Sequence, residues 1–113
     1  MGVQTILVDA EHLVRRRCVK VFLDMIILSL MKSSVLSGYD VIKIVYEKFG
    51  ILLRPGNVYP ILNSLEDRNM IHKKNVERKK IYGLTDDGAL YINLLFNEYE
   101  KMYSQMRLDF SQL

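Results

Sequence analysis

RPGNVYPILNSLEDRNMIHKKNVERKKIYGLT, residues Arg54 to Thr85, is the stretch from which the fold can be read. Arg54, Pro55, Gly56 and Asn57 form a turn signal. Val58, Ile61, Leu62 and Leu65 follow at spacings of i, i+3, i+4 and i+7, the pattern of a helix that buries one face. With Asn57 as N-cap, Pro60 falls at the third helical position, where a missing N–H removes no intrahelical hydrogen bond. After Asn69 the period changes. Met70, Ile71 and His72 run into Lys73 and Lys74, and the chain returns through Ile81, Tyr82 and Leu84, so a short β-hairpin with its turn in Asn75 to Arg78 is expected.

On the N-terminal side, Val19, Phe22, Leu23, Ile26, Ile27 and Leu30 mark a first core helix. Ser33 and Ser34 end it, and Ser37 with Asp40 three residues later makes a capping-box start for a second helix. Ile42, Val45, Tyr46 and Phe49 give that helix its apolar face, and Gly50 is its natural stop. Residues 1–9 contain an apolar patch, Ile6 to Val8, that suits a strand or a tail equally, and residues 10–18 suit a short helix. On the C-terminal side, Thr85 caps a last helix whose first turn carries Asp86 and Asp87, carboxylates that complement the helix dipole.

The expected architecture is mainly α (α+β): a winged helix-turn-helix over 20–84, an N-terminal extension over 1–19, and a long C-terminal helix over 85–113. At 113 residues, half of them hydrophobic and 26% charged, the chain has the material for one core and no room for a second domain. No apolar run is long enough to span a bilayer. The lone Cys18 has no partner in the chain, and no charged and apolar leader precedes it; both features suit the reducing cytoplasm.

Charge is placed unevenly. Residues 73–80 carry five cations against Glu77, more than the net +3 of the whole chain, while residues 85–113 are acidic on balance. A basic spike beside a polar helix face is the footprint of a polyanion-binding edge. The residues expected to meet DNA are Tyr39, Asn57, Tyr59, Asn63 and Ser64 on or beside the recognition helix, and Lys73, Lys74, Arg78, Lys79 and Lys80 on the wing. The first set is short and hydrogen-bonding, suited to base edges; the second suits phosphates. Tyr59 and Asn63 fit base contact and plain solvent exposure equally well. Arg15, Arg16 and Arg17 fit a DNA arm or a solvated face, and Cys18 fits inert packing better than redox sensing.

The C-terminal stripe of Ile92, Leu95, Phe96, Tyr99, Met102, Tyr103 and Met106 persists longer than a small winged-helix body can cover, so a homodimer seam is expected there. The same Met and Tyr side chains would also suit an effector pocket. No phosphate-cradling glycine loop, nucleophile elbow or metal-ligand spacing is present, and His12 and His72 stand far apart; an enzyme, a cofactor and a metal site are not expected.

Three segments carry a family resemblance: Gly38-Tyr39-Asp40-Val41-Ile42; Val58-Tyr59-Pro60-Ile61-Leu62 with Leu65-Glu66 behind it; and Ile81-Tyr82-Gly83-Leu84-Thr85-Asp86-Asp87-Gly88. In this order they resemble the signature segments of PadR-type transcriptional regulators, over about residues 20–96. The resemblance implies a dimeric winged-helix repressor with its C-terminal helix as the dimerisation element. Asn69 stands where those regulators commonly carry glycine. The expected function is therefore sequence-specific binding of double-stranded DNA, as a homodimer on an inverted repeat; the competing reading is a winged-helix protein-interaction module that never touches nucleic acid.

Overall fold

In a computed structural model that describes residues 2–113, the chain folds as α1 (Val3–Val21), α2 (Leu23–Leu30), α3 (Gly38–Phe49), α4 (Pro55–Asp67), β1 (Ile71–Val76), β2 (Lys79–Leu84) and α5 (Asp86–Gln112). Met1, the first residue of the extension, lies outside the described residues.

The core is built around α2. Leu23, Met25, Ile27 and Leu28 are buried and Phe22, Ile26 and Leu30 pack beside them, so this helix is covered on more than one side. Against it lie Val41 and Val45 of α3, Val58, Leu62 and Leu65 of α4, Ile71 and Tyr82 of the hairpin, and Ile92 of α5. Full burial of side chains of this size stabilises a fold by roughly 1.5–3 kcal/mol each before the entropy of ordering them is counted.

Helix starts and stops follow local chemistry. At α3 the Asp40 N–H donates to Ser37 Oγ at 3.1 Å and the Ser37 N–H donates to Asp40 Oδ2 at 2.9 Å, the reciprocal capping box read from the spacing. The stop at Gly50 is also as expected. The start of α4 differs: its N-cap is Arg54 and its first residue is Pro55, which already lacks the N–H that would have no acceptor there. Asn57 is instead the third helical residue, and its Oδ1 accepts the Arg54 N–H at 3.0 Å. Pro60 consequently sits inside the helix, on its exposed face, where the ring's clash with the preceding turn is borne by tertiary packing of the opposite face.

The N-terminal region departs further from expectation. Instead of a strand or tail and a short helix, residues 3–21 form one continuous helix, and the first core helix begins at Leu23 rather than Val19. Phe22 leaves helical geometry (φ −103°, ψ 19°) where its ring meets Tyr99 of α5 edge-on, centroids 4.8 Å apart. Only Val19 of α1 reaches the core.

The hairpin is antiparallel in the register Ile71↔Leu84 to Val76↔Lys79, closed by Glu77 and Arg78, both with positive φ (49° and 69°), the conformation of a two-residue type I′ turn. A third edge strip, absent from the sequence reading, joins it: Leu36 and Tyr82 exchange backbone hydrogen bonds of 2.9 and 2.8 Å. Asn69 ends the link from α4 with φ 60°; after glycine, asparagine is among the residues that best tolerate this left-handed conformation.

The start of α5 is welded to the end of α4. Thr85 Oγ1 accepts the Gly88 N–H at 2.9 Å and lies 2.7 Å from the Asn69 carbonyl, to which its own hydrogen is donated, while the Thr85 N–H donates to the Met70 carbonyl at 3.2 Å. Gly88 is obligatory at this joint, because a Cβ there would run into the Met70 carbonyl oxygen. Among the described residues, no helix is long and apolar enough to cross a membrane.

Two outcomes follow from these contacts. Gly88→Ala, which cannot be absorbed by a side-chain shift, lowers stability by about 1–3 kcal/mol or more in a urea titration. Burial, with smaller contributions from Glu66 and Tyr59, holds the Tyr82 hydroxyl above its ordinary value of 10.0. Above that pH the unfolded chain releases the proton first, so stability falls as pH rises further; Tyr82→Phe abolishes this alkaline decline, as read by melting temperature against pH.

Candidate nucleic-acid interface

The buried residues of α4 leave a polar face outward, carrying Gly56, Asn57, Pro60, Asn63, Ser64 and Asp67. Its N-terminal turn holds no acidic residue and is preceded by the exposed cation Arg54, whereas Glu66 and Asp67 gather at its C-terminal end. The dipole and the side-chain charges therefore agree: the N-terminal end of α4 is the end that suits phosphate.

The structure sorts the expected DNA residues into different situations. Asn63 lies free on the outward face. Asn57 has its carbonyl oxygen committed to the helix start, which leaves its NH2 group for a ligand. Ser64 stands to one side, in a shallow depression shared with Lys20, Asp24 and Arg68. Tyr59 is half-buried: its ring lies over Gly38, where a Cβ would come within 2.6 Å of it, and meets the Tyr39 ring at 6.5 Å with an interplanar angle of 76°. The missing side chain of Gly38 is what lets α3 and α4 approach this closely. Tyr39 itself is 68% exposed at the start of α3, so the two tyrosines form one aromatic step beside the reading face.

On the wing the cations do not share one face. Alternation along the strands puts Lys73 and Lys80 on the side that continues from Ile71 and Tyr82, and Lys74 and Lys79 on the other, with Arg78 at the tip. Lys73 lies 3.8 Å from Glu66 of α4, which neutralises part of its charge. Among the described residues, Lys74, Arg78, Lys79, Lys80 and Arg54 have no carboxylate within salt-bridge distance. Two further cations are occupied by aromatic rings: Arg68 packs over Tyr91 at 4.9 Å and Lys32 over Phe96 at 5.5 Å. Arg54 was absent from the sequence-based set; its position directly before the turn that opens the recognition helix was the available signal.

Of the stripe on α5, Ile92 is fully buried in the protomer's own core and has no surface to offer a partner. Leu95 packs half-buried against the same core. Phe96, Tyr99, Met102, Tyr103 and Met106 are exposed, and Phe110, one helical turn beyond Met106, extends the stripe. Beside them runs an apolar groove of about 590 Å³ between α2 and α5, lined by Phe22, Met25, Ile26, Phe49, Phe96 and Tyr99. Among the described residues, no group of three or more His, Cys, Asp or Glu side chains could hold a metal ion.

A helix-turn-helix whose second helix carries a polar outward face, followed by a basic two-stranded wing, defines the winged-helix class. Residues 27–93 match the transcriptional regulator PadR-like family, and the chain belongs to that family. Among solved structures, it superposes on a transcriptional regulator from Clostridium thermocellum with a TM-score of 0.74 at 23% identity, covering 80% of this chain and 92% of that one. It is also similar to Bacillus subtilis PadR solved in complex with operator DNA, with a TM-score of 0.61 at 30% identity over 66% of this chain and 46% of that one. A curated relative, the transcriptional activator GvpE of Haloferax mediterranei, is 33% identical over 54 residues, which is 48% of this chain and only 28% of that protein.

The wing turn supplies its own test. Left-handed conformations at Glu77 and Arg78 cost roughly 1–2 kcal/mol each in ordinary L-residues. Glu77→Asn combined with Arg78→Gly therefore raises the melting temperature, and if Arg78 meets phosphate it lowers duplex affinity in the same protein.

Proposed function

We propose that this chain is a sequence-specific regulator of transcription that binds double-stranded DNA as a homodimer. The observation that carries the reading is that cations with no carboxylate partner among the described residues, Arg54 before α4 and Lys74, Arg78, Lys79 and Lys80 on the wing, flank the polar face of α4. In this arrangement α4 lies in the major groove, with Asn57 and Asn63 at base edges, and the wing follows the backbone. Affinity comes mainly from the wing and discrimination mainly from the helix. The PadR structure solved on operator DNA, at 30% identity, supports this mode of action.

The distal half of α5 is the dimer seam in this proposal. Its exposed aromatic and thioether stripe is continuous with the apolar groove beside α2, so the partner's α5 would cover both. A twofold axis through the paired helices sets the two recognition helices on half-sites about 34 Å apart, and the operator is an inverted repeat. The regulator acts in the cytoplasm by binding rather than by catalysis. Repression is the simplest consequence of occupying a promoter.

Duplex affinity measured against salt tests the proposal. Replacing Lys79 and Lys80 together with Ala reduces the slope of log K against log salt by about 1 to 2, while Asn63→Ala weakens discrimination between sites and leaves the slope unchanged. An unaltered slope in the lysine variant removes the wing from the mechanism, and salt-insensitive capture of a protein with no duplex binding replaces the proposal with an interaction module.

A further inference from the structure

The longest helix outside the family match is α1. It stands away from the body: its one extensive neighbour is α2, and all of its residues before Val19 are exposed. Yet it is strongly patterned. Val3, Ile6, Leu7, Ala10, Leu13 and Val14 fall on one face at spacings of three and four, and Ile6, Leu7 and Val14 are all more than half exposed. A solvated helix has no need of such a stripe; its face is built to be covered.

Its charges say by what. Asp9 and Glu11 lie in the first half of α1 and Arg15, Arg16, Arg17 and Lys20 in the second. Asp9 and Arg16 are seven residues apart and so lie on the same flank of the apolar stripe, the place where helix pairs exchange salt bridges. Laid parallel, two copies would set arginine beside arginine and acid beside acid. Laid antiparallel, Asp9 of each faces Arg16 of the partner subunit, twice, about a twofold axis near Leu13.

We infer that α1 pairs antiparallel with α1 of a second copy of this chain, as a second element of the homodimer. The inference rests on the dimer reading above. Two helices of this length bury less than the roughly 1,200–2,000 Å² that a stable interface needs, so the α1 pair adds to the α5 seam and does not replace it. Its effect is to fix the angle between the two DNA-reading heads, which the α5 seam alone would leave to one axis of contact.

The test uses the full chain with Cys18→Ser. Leu13→Cys in that background, treated with a short bifunctional maleimide at micromolar protein, gives a covalent dimer; Val3→Cys gives none, because in antiparallel helices the two Val3 positions lie about 30 Å apart. Asp9→Arg raises the dimer dissociation constant about tenfold, and adding Arg16→Asp restores it, a reciprocity that a merely structural role would not show. Sedimentation of the same variants separates the outcomes. A dimer that cross-links at Val3 as readily as at Leu13, that fails to cross-link at Leu13, or that is indifferent to Asp9→Arg, overturns the α1 pairing and leaves the α5 seam standing. A monomer at these concentrations overturns both.

Discussion

The joint at Met70, Thr85 and Gly88 is the constraint on which the molecule's geometry depends. It ties the end of the recognition helix to the start of α5 through backbone and hydroxyl hydrogen bonds, with no side chain tolerated at position 88. In the proposed dimer, pairing of the α5 helices would set the separation of the two α4 helices through this joint. In a dimeric DNA reader that separation is the quantity matched to the helical repeat of the duplex. Capping chemistry at one threonine is thus as close to the function as the residues that would touch DNA.

Placement distinguishes the cations more than number does. The chain's charge is modest, and several basic residues have settled on neighbours: Lys73 on Glu66, Arg68 on Tyr91, Lys32 on Phe96. Among the described residues, Arg54 and the wing residues Lys74, Arg78, Lys79 and Lys80 have no carboxylate partner, and neither do cations on α1, α3 and α5; what sets the first group apart is its place beside the polar face of α4. A phosphate contact gains most from a charge that gives up no existing partner, which is why the proposed DNA contact is placed on the free cations that flank α4. The carboxylates Glu66 and Asp67 at the C-terminal end of α4 act in the opposite sense and leave the N-terminal end as the one that suits an anion.

Much of this was legible from residue spacing. The helices around Val58 and Val45, the capping box at Ser37, the hairpin, the Thr85 cap and the outward polar face all follow from period, turn chemistry and the location of Asp, Ser, Thr and Gly, because these are interactions between near neighbours in the chain. The left-handed turn at Asn69 was not among them; the family resemblance marked that position only as one where glycine is common. Nor was the continuous helix α1: residues 1–9 suited a strand or a tail and only residues 10–18 a short helix, yet one helix spans Val3–Val21.

What the chain's local chemistry determined by itself is the order of elements and the polarity of each face. Tertiary structure alone decided which of those faces are spent internally: that Ile92 closes the core, that Tyr59 is held over Gly38, that Lys73 answers to Glu66, and that Leu36 becomes a strand partner for Tyr82. Each joins residues from different elements, where burial and pairing energies outweigh the weak preferences of a short segment. Spacing along a chain carries no information about which distant side chain arrives at the same place.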